Sequence, residues 1–356
     1  MKNALLRYDS GTGIYKNIGD YIQSLAARQF VGDDAILIER ENLHNYSGEA
    51  VNLIMNGWWT HRPENWPPSS KINPFFISFH INPKKANIML SDKGIDYLRR
   101  FQPIGCRDKG TTLLLESKGI SAYFSGCLTM TLGNNYYDPN IKRQGVYFVD
   151  PYYPLKGKSL DSMKCILLAA LIFLKNSFNF KLIISLSRRM FDHVGPKKIL
   201  RAADFYNSYK KVFNENILRD AVFIKHDVLE SDFKSEKEKF DFAENLIKKY
   251  ALAKIVVTSR IHAALPSLSL GTSVIFVNSN FYQNQSVNPM SPGRFEGLLD
   301  YLNVMECQGR RLVPLGDFYK EKISNNNIPE NKKDHEIIAF DLKSRCEKYF
   351  YENCFK

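Results

Sequence analysis

The stretch TSRIHAALPSLSLGTSVIFV, residues 258–277, decides the fold because it places a turn, a helix and a strand in close succession. The β-branched run KIVVT that leads into it predicts a buried strand. A short helix should begin close to His262, since Pro266 is comfortable only in the first turn, and should end at Gly271. The apolar residues 274–277 predict the next strand. Strand, helix and strand in this order indicate an α/β fold.

Charge is concentrated at the turn between the first strand and the helix. Arg260 and His262 follow the strand directly, and Ile261 lies between them at the helix start. The first backbone N–H groups of a helix lack intrahelical partners and attract negative charge. We therefore predict an anion-binding site here.

The size and charge of the chain limit its class. With 356 residues it is too long for one ordinary core, and two domains are expected. A hydrophobic content of 44% and an aromatic content of 13% exclude a disordered protein. The net charge of +12 favours an anionic partner such as phosphate, nucleic acid or a membrane surface, or it reflects an ordinary basic surface.

Other features point to a cytoplasmic protein without a metal. The first residues lack the apolar region of a secretory signal. The apolar run ILLAALIFL, residues 166–174, is too short to span a membrane and predicts a buried helix. The six cysteines form no CxxC pair, which suits reduced thiols and gives no support to a zinc site.

The N-terminal region begins as many α/β ligand-binding domains do. Residues 3–8 predict a strand, the loop DSGTGIYKNIGD follows, and Asp20 is expected to cap the next helix. The loop contains neither GxGxxG nor GxxxxGK[ST], which excludes a dinucleotide fingerprint and a P-loop.

Several other side chains at predicted strand ends are candidates. Trp58, in the cluster NGWW, either packs in the core or stacks on a sugar. His80 ends the predicted strand PFFISFHI and is structural or catalytic. The segment KLIISLSRR, residues 181–189, predicts a strand that delivers Arg188 and Arg189 to its end.

Taken together, a set of segments resembles the polysaccharide pyruvyl transferase family. They occur in the family's order: NIGDYIQSLAARQF, NGWW, PFFISFH, PIGCRDKGTTLLLESKGISAYFSGCLTMTL, DFAENLIKKYALAK, TSRIHAALPSLSLGT and GRFEGLLDYL. The resemblance implies two Rossmann-like domains that face each other across a cleft, as in GT-B glycosyltransferases. Residues 1–140 would form the acceptor side, residues 141–330 the phosphoenolpyruvate side, and residues 331–356 a C-terminal helix.

The resemblance also implies a reaction. Members of the family move pyruvate from phosphoenolpyruvate to a hexose hydroxyl pair of a surface glycan, such as an exopolysaccharide or capsule, or of its lipid-linked precursor, and form a ketal. Phosphoenolpyruvate is the donor substrate, and neither a cofactor nor a metal is expected. Arg260 and His262 match the family's R-x-H pair, with Arg260 neutralising the donor and His262 as general acid. Arg188 or Arg189 would also meet the donor.

On the acceptor side, the ligand-facing loop would contribute Asn17, Gly19 and Asp20. Asp20 is either the base for an acceptor hydroxyl or only a helix cap. Trp58 and His80 are further acceptor-side candidates. A lipid-linked acceptor together with the basic charge would suit peripheral contact with the inner face of the cell membrane.

Two other functions are compatible with these features. A GT-B glycosyltransferase that uses a nucleotide sugar also needs a helix N-terminus and an arginine for its diphosphate. A non-enzymatic polyanion-binding protein would explain the charge, although the lysines are scattered and no nucleic-acid-binding motif is visible.

Overall fold

A computed structural model describes residues 1–8, 14–159, 167, 171, 174, 177–279 and 295–353 of the 356-residue chain. Residues 9–13 of the predicted glycine loop and most of the apolar run 166–174 lie outside the described residues, so the predictions for them stay predictions. The three described residues of that run, Leu167, Leu171 and Leu174, are helical but exposed, so the predicted burial is wrong at these positions. In the described parts of the chain, no helix has the length and apolar character needed to cross a bilayer.

Eight of the nine strands described in the N-terminal half form two parallel four-stranded sheets. The strands are β1 (Lys2–Arg7), β2 (Tyr15–Asn17), β3 (Ile36–Glu39), β4 (Val51–Ile54), β5 (Gly57–Trp59), β6 (Ile72–Phe75), β7 (Phe79–Ile81), β8 (Ile104–Cys106) and β9 (Ala122–Phe124). The sheet orders are β3-β1-β4-β6 and β5-β7-β8-β9, and β2 belongs to neither sheet. Left-handed backbone at Gly57, with φ of 103°, and at Ser78, with φ of 55°, bends the chain where it passes from the first sheet to the second.

The C-terminal half contains one six-stranded sheet. Its part of the chain provides β10 (Val146–Val149), β11 (Val222–Ile224), β12 (Asp227–Leu229), β13 (Ile255–Thr258), β14 (Ser273–Ser279), β15 (Asn303–Gln308) and β16 (Arg311–Leu315). The order is β11-β10-β13-β14-β15-β16, and only the last pair is antiparallel. Strands β13 and β14 confirm the two strands predicted on either side of the central helix.

Helices pack on both faces of the C-terminal sheet and against the N-terminal sheets. They are α1 (Ile18–Val31), α2 (Ala86–Met89), α3 (Asp92–Arg99), α4 (Lys109–Glu116), α5 (Gly133–Tyr136), α6 (Phe180–Phe191), α7 (Pro196–Tyr209), α8 (Glu215–Asp220), α9 (Glu236–Leu252), α10 (Ile261–Ser269) and α11 (His335–Asn353). This mixed α/β architecture with parallel sheets agrees with the predicted class.

The strand predicted over residues 181–189 is wrong, because this segment lies in helix α6. The sequence suggested a strand through its β-branched run. In the structure the buried positions are Ile183, Leu186, Ser187 and Met190, a spacing of three and four that matches one face of a helix.

Helix α1 joins the N-terminal half to the C-terminal half. It packs against α9, with the rings of Tyr21 and Phe240 5.1 Å apart and an ion pair of 3.2 Å between Arg28 and Glu244. Just before α1, strand β2 pairs antiparallel with β12. These contacts hold the N-terminus of α1 at the end of the C-terminal sheet.

The C-terminal helix α11 returns to the N-terminal half. The ring of Tyr349 stacks on Phe75 at 4.5 Å, and the side-chain amide of Asn73 donates to the Tyr349 hydroxyl at 2.8 Å. One hydrophobic core consequently extends from the N-terminal sheets through α1, α9 and α10 to α11, and a second core fills the other face of the C-terminal sheet.

Candidate functional site

The turn between β13 and α10 is fixed by its own hydroxyl groups. Thr258 Oγ1 donates to the carbonyl of Val149 at 2.7 Å and accepts from the backbone N–H of Arg260 at 2.9 Å. Ser259 Oγ donates to the carbonyl of Val277 at 2.7 Å. The helix begins at Ile261, which confirms the predicted start close to His262, and Pro266 falls in its second turn.

Two carboxylates from neighbouring strand ends hold the Arg260 side chain. Its Nε donates to Asp150 Oδ2 at 3.0 Å, and its Nη2 donates to Asp227 Oδ2. Burial by itself raises the pKa of Asp150, but the charges of Lys156 and Arg260 hold that pKa below its usual value. The guanidinium is thus oriented by the protein in a fixed position.

A lysine completes this charged group. Lys156 Nζ donates to the backbone carbonyls of Asp150 at 2.6 Å and Pro151 at 3.2 Å, and lies 3.8 Å from Asp150 Oδ1. Burial lowers the pKa of Lys156 to about 8. Lys156 is therefore a cation whose charge changes just above neutral pH.

Sequence reasoning missed Asp150, Asp227 and Lys156. Asp150 directly follows an apolar strand, and Asp227 comes within three residues of the end of another. A charged residue just after an apolar strand is also the pattern that identified Arg260 as a candidate, so the same pattern could have identified the two aspartates. Lys156 lies in an irregular segment and has no such signal.

His262 lies against the N-terminus of α1. It is the second residue of α10 and is almost completely buried. A Cβ atom added at Gly19 would lie 3.2 Å from His262 Nδ1 and 3.1 Å from Asn17 Oδ1. The absence of a side chain at Gly19 permits this close approach, so the structure brings together the predicted residues Asn17, Gly19 and His262. Ile261 precedes His262 as the first residue of α10.

Asp20 does not cap α1, which corrects one alternative from the sequence. The cap is Asn17, whose Oδ1 accepts from the backbone N–H of Gly19 at 3.1 Å. Strand β2 runs up to Asn17, so the helix begins earlier than the sequence suggested. Asp20 is the third helical residue, and its Oδ1 accepts from Gln23 Nε2 at 3.1 Å.

Arg40 connects Asp20 with Trp58. Its Nη1 lies 3.6 Å from Asp20 Oδ2, its Nη2 pairs with Glu41 at 2.9 Å, and its guanidinium lies 5.4 Å from the centre of the Trp58 ring. Arg40 is buried, so its orientation is fixed. Trp58 is half-buried and packs beside the ring of His61 at 4.5 Å.

His80 belongs to a buried pair in the N-terminal half. Its Nδ1 lies 2.6 Å from Asp108 Oδ2 and 3.1 Å from Thr111 Oγ1. Burial by itself raises the pKa of Asp108, but the charges of His80 and Arg107 hold that pKa below its usual range. With 2% of its surface exposed, His80 is placed to orient other groups.

Arg188 and Arg189 lie on α6 and not at a strand end. Arg189 donates to the backbone carbonyls of Ala221 at 2.7 Å and Leu218 at 3.1 Å, so its guanidinium supports the segment after α8. Arg188 is exposed on the same helix. Their predicted contact with the donor no longer has the geometric basis that suggested it.

His226 ties the two halves of the site together through its backbone. Its carbonyl accepts from the N–H of Ile18 at 2.9 Å, and its N–H donates to Asp150 Oδ2 at 2.9 Å. Its ring lies 2.5 Å from the Tyr250 hydroxyl, and burial lowers the pKa of His226 to about 3. The ring is neutral at physiological pH.

Among the described residues, no group of three or more His, Cys, Asp or Glu side chains could hold a metal ion.

Comparisons with known proteins place the chain in a family. No curated protein matches it. The crystal structure of an uncharacterised protein from Klebsiella pneumoniae subsp. pneumoniae NTUH-K2044 is similar at 12% identity over 80% of this chain and 87% of that chain, with a TM-score of 0.39 that is too low to support an argument. The family model of polysaccharide pyruvyl transferase matches residues 17–280, well over half of the chain. The resemblance seen in the sequence is confirmed, and the chain belongs to the polysaccharide pyruvyl transferase family.

Proposed function

We propose that the protein transfers pyruvate from phosphoenolpyruvate to two hydroxyls of one hexose, in a polysaccharide or its lipid-linked precursor, and forms a ketal. The main support for this proposal is the close approach of His262, which follows Arg260 by two residues, to the N-terminus of α1. The two sheet-bearing halves would then act as donor and acceptor sides of a GT-B-like pair.

The donor would bind beside Arg260. Phosphoenolpyruvate carries a carboxylate and a phosphate, and a guanidinium matches either group with two hydrogen bonds. Asp227 is half exposed whereas the Asp150 carboxylate is 13% exposed, so the donor would displace Asp227 while Asp150 keeps Nε in place. Lys156 and the first backbone N–H groups of α10, at Ile261 and His262, would add positive charge.

The chemistry needs one proton donor and two hydroxyl attacks. His262 would protonate the methylene carbon, which turns the carbon bearing phosphate into an oxocarbenium centre. The first sugar hydroxyl bonds to that carbon and gives up its proton, which restores His262. Phosphate then leaves, the second hydroxyl bonds to the same carbon, and its proton leaves with phosphate.

The acceptor would lie between the N-terminus of α1 and Trp58. Asn17 and Gly19 border His262, and the Asp20 carboxylate is positioned by Gln23 and Arg40. Asp20 would accept the proton of the second hydroxyl and pass it to the departing phosphate, and the half-buried Trp58 ring would pack on the sugar face. We give no contact role to His80, which is buried, or to Arg189, whose guanidinium donates to backbone carbonyls. Arg188 has none either, because it lies on α6 and not at a strand end.

The test is to incubate the protein with phosphoenolpyruvate and a panel of hexosides, and separately with nucleotide sugars. We expect inorganic phosphate release that depends on the hexoside and one ketal formed for each phosphate. Release of a nucleoside diphosphate with glycosyl transfer, and none of phosphate, would instead favour a glycosyltransferase.

The substitution Gly19→Ala tests the close approach of the two helices. The added methyl group would push the His262 side chain by a few tenths of an ångström, because it lies 3.2 Å from Nδ1. Such misplacement should lower kcat by about ten-fold. Alanine favours a helix over glycine, so the unfolding temperature should hardly fall.

The matched control for Gly19 is Gly195→Ala, because a Cβ atom at Gly195 meets nothing within 4 Å. We expect this variant to keep the wild-type kcat. A Gly19→Ala variant as active as Gly195→Ala would show that contact between α1 and His262 does not matter for turnover.

The pKa of Lys156 predicts weaker donor binding at alkaline pH. With a pKa of about 8, Lys156 loses its charge between pH 7 and 9, and the KM for phosphoenolpyruvate should rise over this range. The variant Lys156→Arg, which stays charged, should show a flatter profile. A KM that rises equally in both proteins contradicts the role.

Loss of folded protein at alkaline pH does not explain the expected rise in KM, because the pKa of Lys156 affects stability in the opposite direction. Its pKa is lowered from 10.5 to about 8 in the folded protein, so the unfolded chain binds more protons between these values. The contribution of Lys156 to stability therefore increases as pH rises through that window. Thermal unfolding followed at pH 7 and 9 checks that the two effects are separate.

A further inference from the structure

A groove lies at the end of α10 opposite His262. It has a volume of about 920 Å³ and lies between the end of α10, helix α5, the connector before α11 and α11 itself. We call it the distal groove and define it by Asn134, Tyr137, Lys254, Lys333, Phe340 and Lys343. Ser269 at its floor is seven residues from His262, or about 10 Å along the helix axis.

Positive charge predominates in the distal groove. Five Lys and Arg side chains line it, against two carboxylates. Arg143 is occupied by the carbonyls of Ala251 and Leu270, at 2.7 and 2.6 Å, and the ammonium group of Lys332 donates to the carbonyl of Asp300. These two cations are structural.

The other three cations have weaker or no ion pairs. Lys343 lies 3.6 Å from Glu347. Neither Lys254 nor Lys333 forms an ion pair with a carboxylate in the described parts of the chain. Lys254 is half-buried in the groove, and such a cation favours an anionic group that can enter and replace lost water.

Exposed aromatic rings and amides accompany the lysines. Tyr137 is 53% exposed and Phe340 is 73% exposed, so both rings are accessible to a ligand in the groove. Asn134 and Lys343 also line an adjoining cavity of about 480 Å³, so the distal groove continues beyond α5. Rings beside amide groups suit a sugar chain, which presents apolar faces and hydroxyls.

We propose that the distal groove binds the pyruvylated, and therefore anionic, part of the polysaccharide. This inference rests on the proposed function, because each ketal adds one carboxylate to a neutral hexose. Single carboxylates spaced along a chain match separate lysines inside a groove, whereas a flat membrane surface cannot reach a half-buried Lys254. Binding of the modified segment would keep the polysaccharide on the protein after transfer.

The test measures binding directly and needs no turnover. The probe is a hexose oligosaccharide that carries carboxyethylidene ketals, and its partner is the same oligosaccharide after mild acid has removed them. By titration calorimetry the wild-type protein should bind the ketal-bearing form about ten-fold or more tightly than the stripped form. High salt should reduce the difference.

The variant Lys254→Ala/Lys333→Ala should lose this preference, while its kcat with phosphoenolpyruvate and a monosaccharide acceptor stays at the wild-type value. The control Lys93→Ala/Lys118→Ala removes two exposed lysines of the N-terminal half and should keep the preference.

Three outcomes would overturn the proposal. They are equal affinity for the two oligosaccharides, an unchanged preference in the Lys254→Ala/Lys333→Ala variant, and lysine-dependent binding to anionic lipid vesicles without binding of the oligosaccharide. A separate measurement tests the proposed function itself. If the wild-type protein releases no phosphate from phosphoenolpyruvate, the proposed function is wrong, whatever the binding results.

Discussion

Replacing His262 with alanine is expected to lower kcat by about 10²- to 10⁴-fold, the range that a general acid contributes. The His262 imidazole contacts the N-terminus of α1, and it follows Arg260 by two positions. Without it, the proposed proton donor for the methylene carbon is lost. The readout is phosphate release under saturating phosphoenolpyruvate and acceptor.

A second substitution separates catalysis from packing at this position. His262→Asn keeps a polar group near the place of Nδ1 but cannot transfer protons at neutral pH. A structural role predicts recovery of activity in His262→Asn, and a catalytic role predicts the same loss as in alanine. The control His193→Ala removes an exposed histidine and should have wild-type activity. Near-normal turnover in His262→Ala would contradict the assignment of His262 as the general acid.

Replacing Arg260 with alanine is expected to lower kcat/KM for phosphoenolpyruvate by about 10²- to 10³-fold, because charge-assisted hydrogen bonds to the donor are lost. It should also destabilise the protein, since Asp150 keeps its charge at the end of β10 without the guanidinium at 3.0 Å. Kinetics and thermal unfolding of the same sample give both values.

The double variant Arg260→Ala/Asp150→Asn distinguishes these two effects. Removing the carboxylate charge that has lost Arg260 should restore much of the stability lost in Arg260→Ala, while kcat/KM stays low. The control Arg188→Ala changes an exposed arginine on α6 and should leave both values unchanged. If kcat/KM recovers together with stability, Arg260 is structural and the donor binds elsewhere.

Local pattern was enough to predict the strand, turn and helix that carry Arg260 and His262. The β-branched run before Thr258, the proline and the glycine after the helix define β13, α10 and β14 through rules that act within a few residues. Gly271 has the left-handed φ of 69° that a residue after a helix end needs. The same segment carries the R-x-H pair, and the family assignment is confirmed.

Local sequence pattern gave wrong predictions where it fitted two local structures equally well. The run at residues 181–189 is apolar in a way that fits a strand, and only packing of Ile183, Leu186 and Met190 against the second core selects the helix. Asp20 is as good a cap as Asn17 by residue type. Pairing of β2 with β12 fixes the chain up to Asn17 and gives the cap to Asn17.

The sequence by itself determined the α/β class, the family and the strand-to-helix turn that carries Arg260 and His262, because these depend on neighbours along the chain. Only the tertiary structure decided what surrounds them. Asp150 and Asp227 reach Arg260 although they lie 110 and 33 residues away, and Gly19 reaches His262 across more than 200 residues. Contacts between such distant segments arise from strand order and helix packing, which no local pattern specifies.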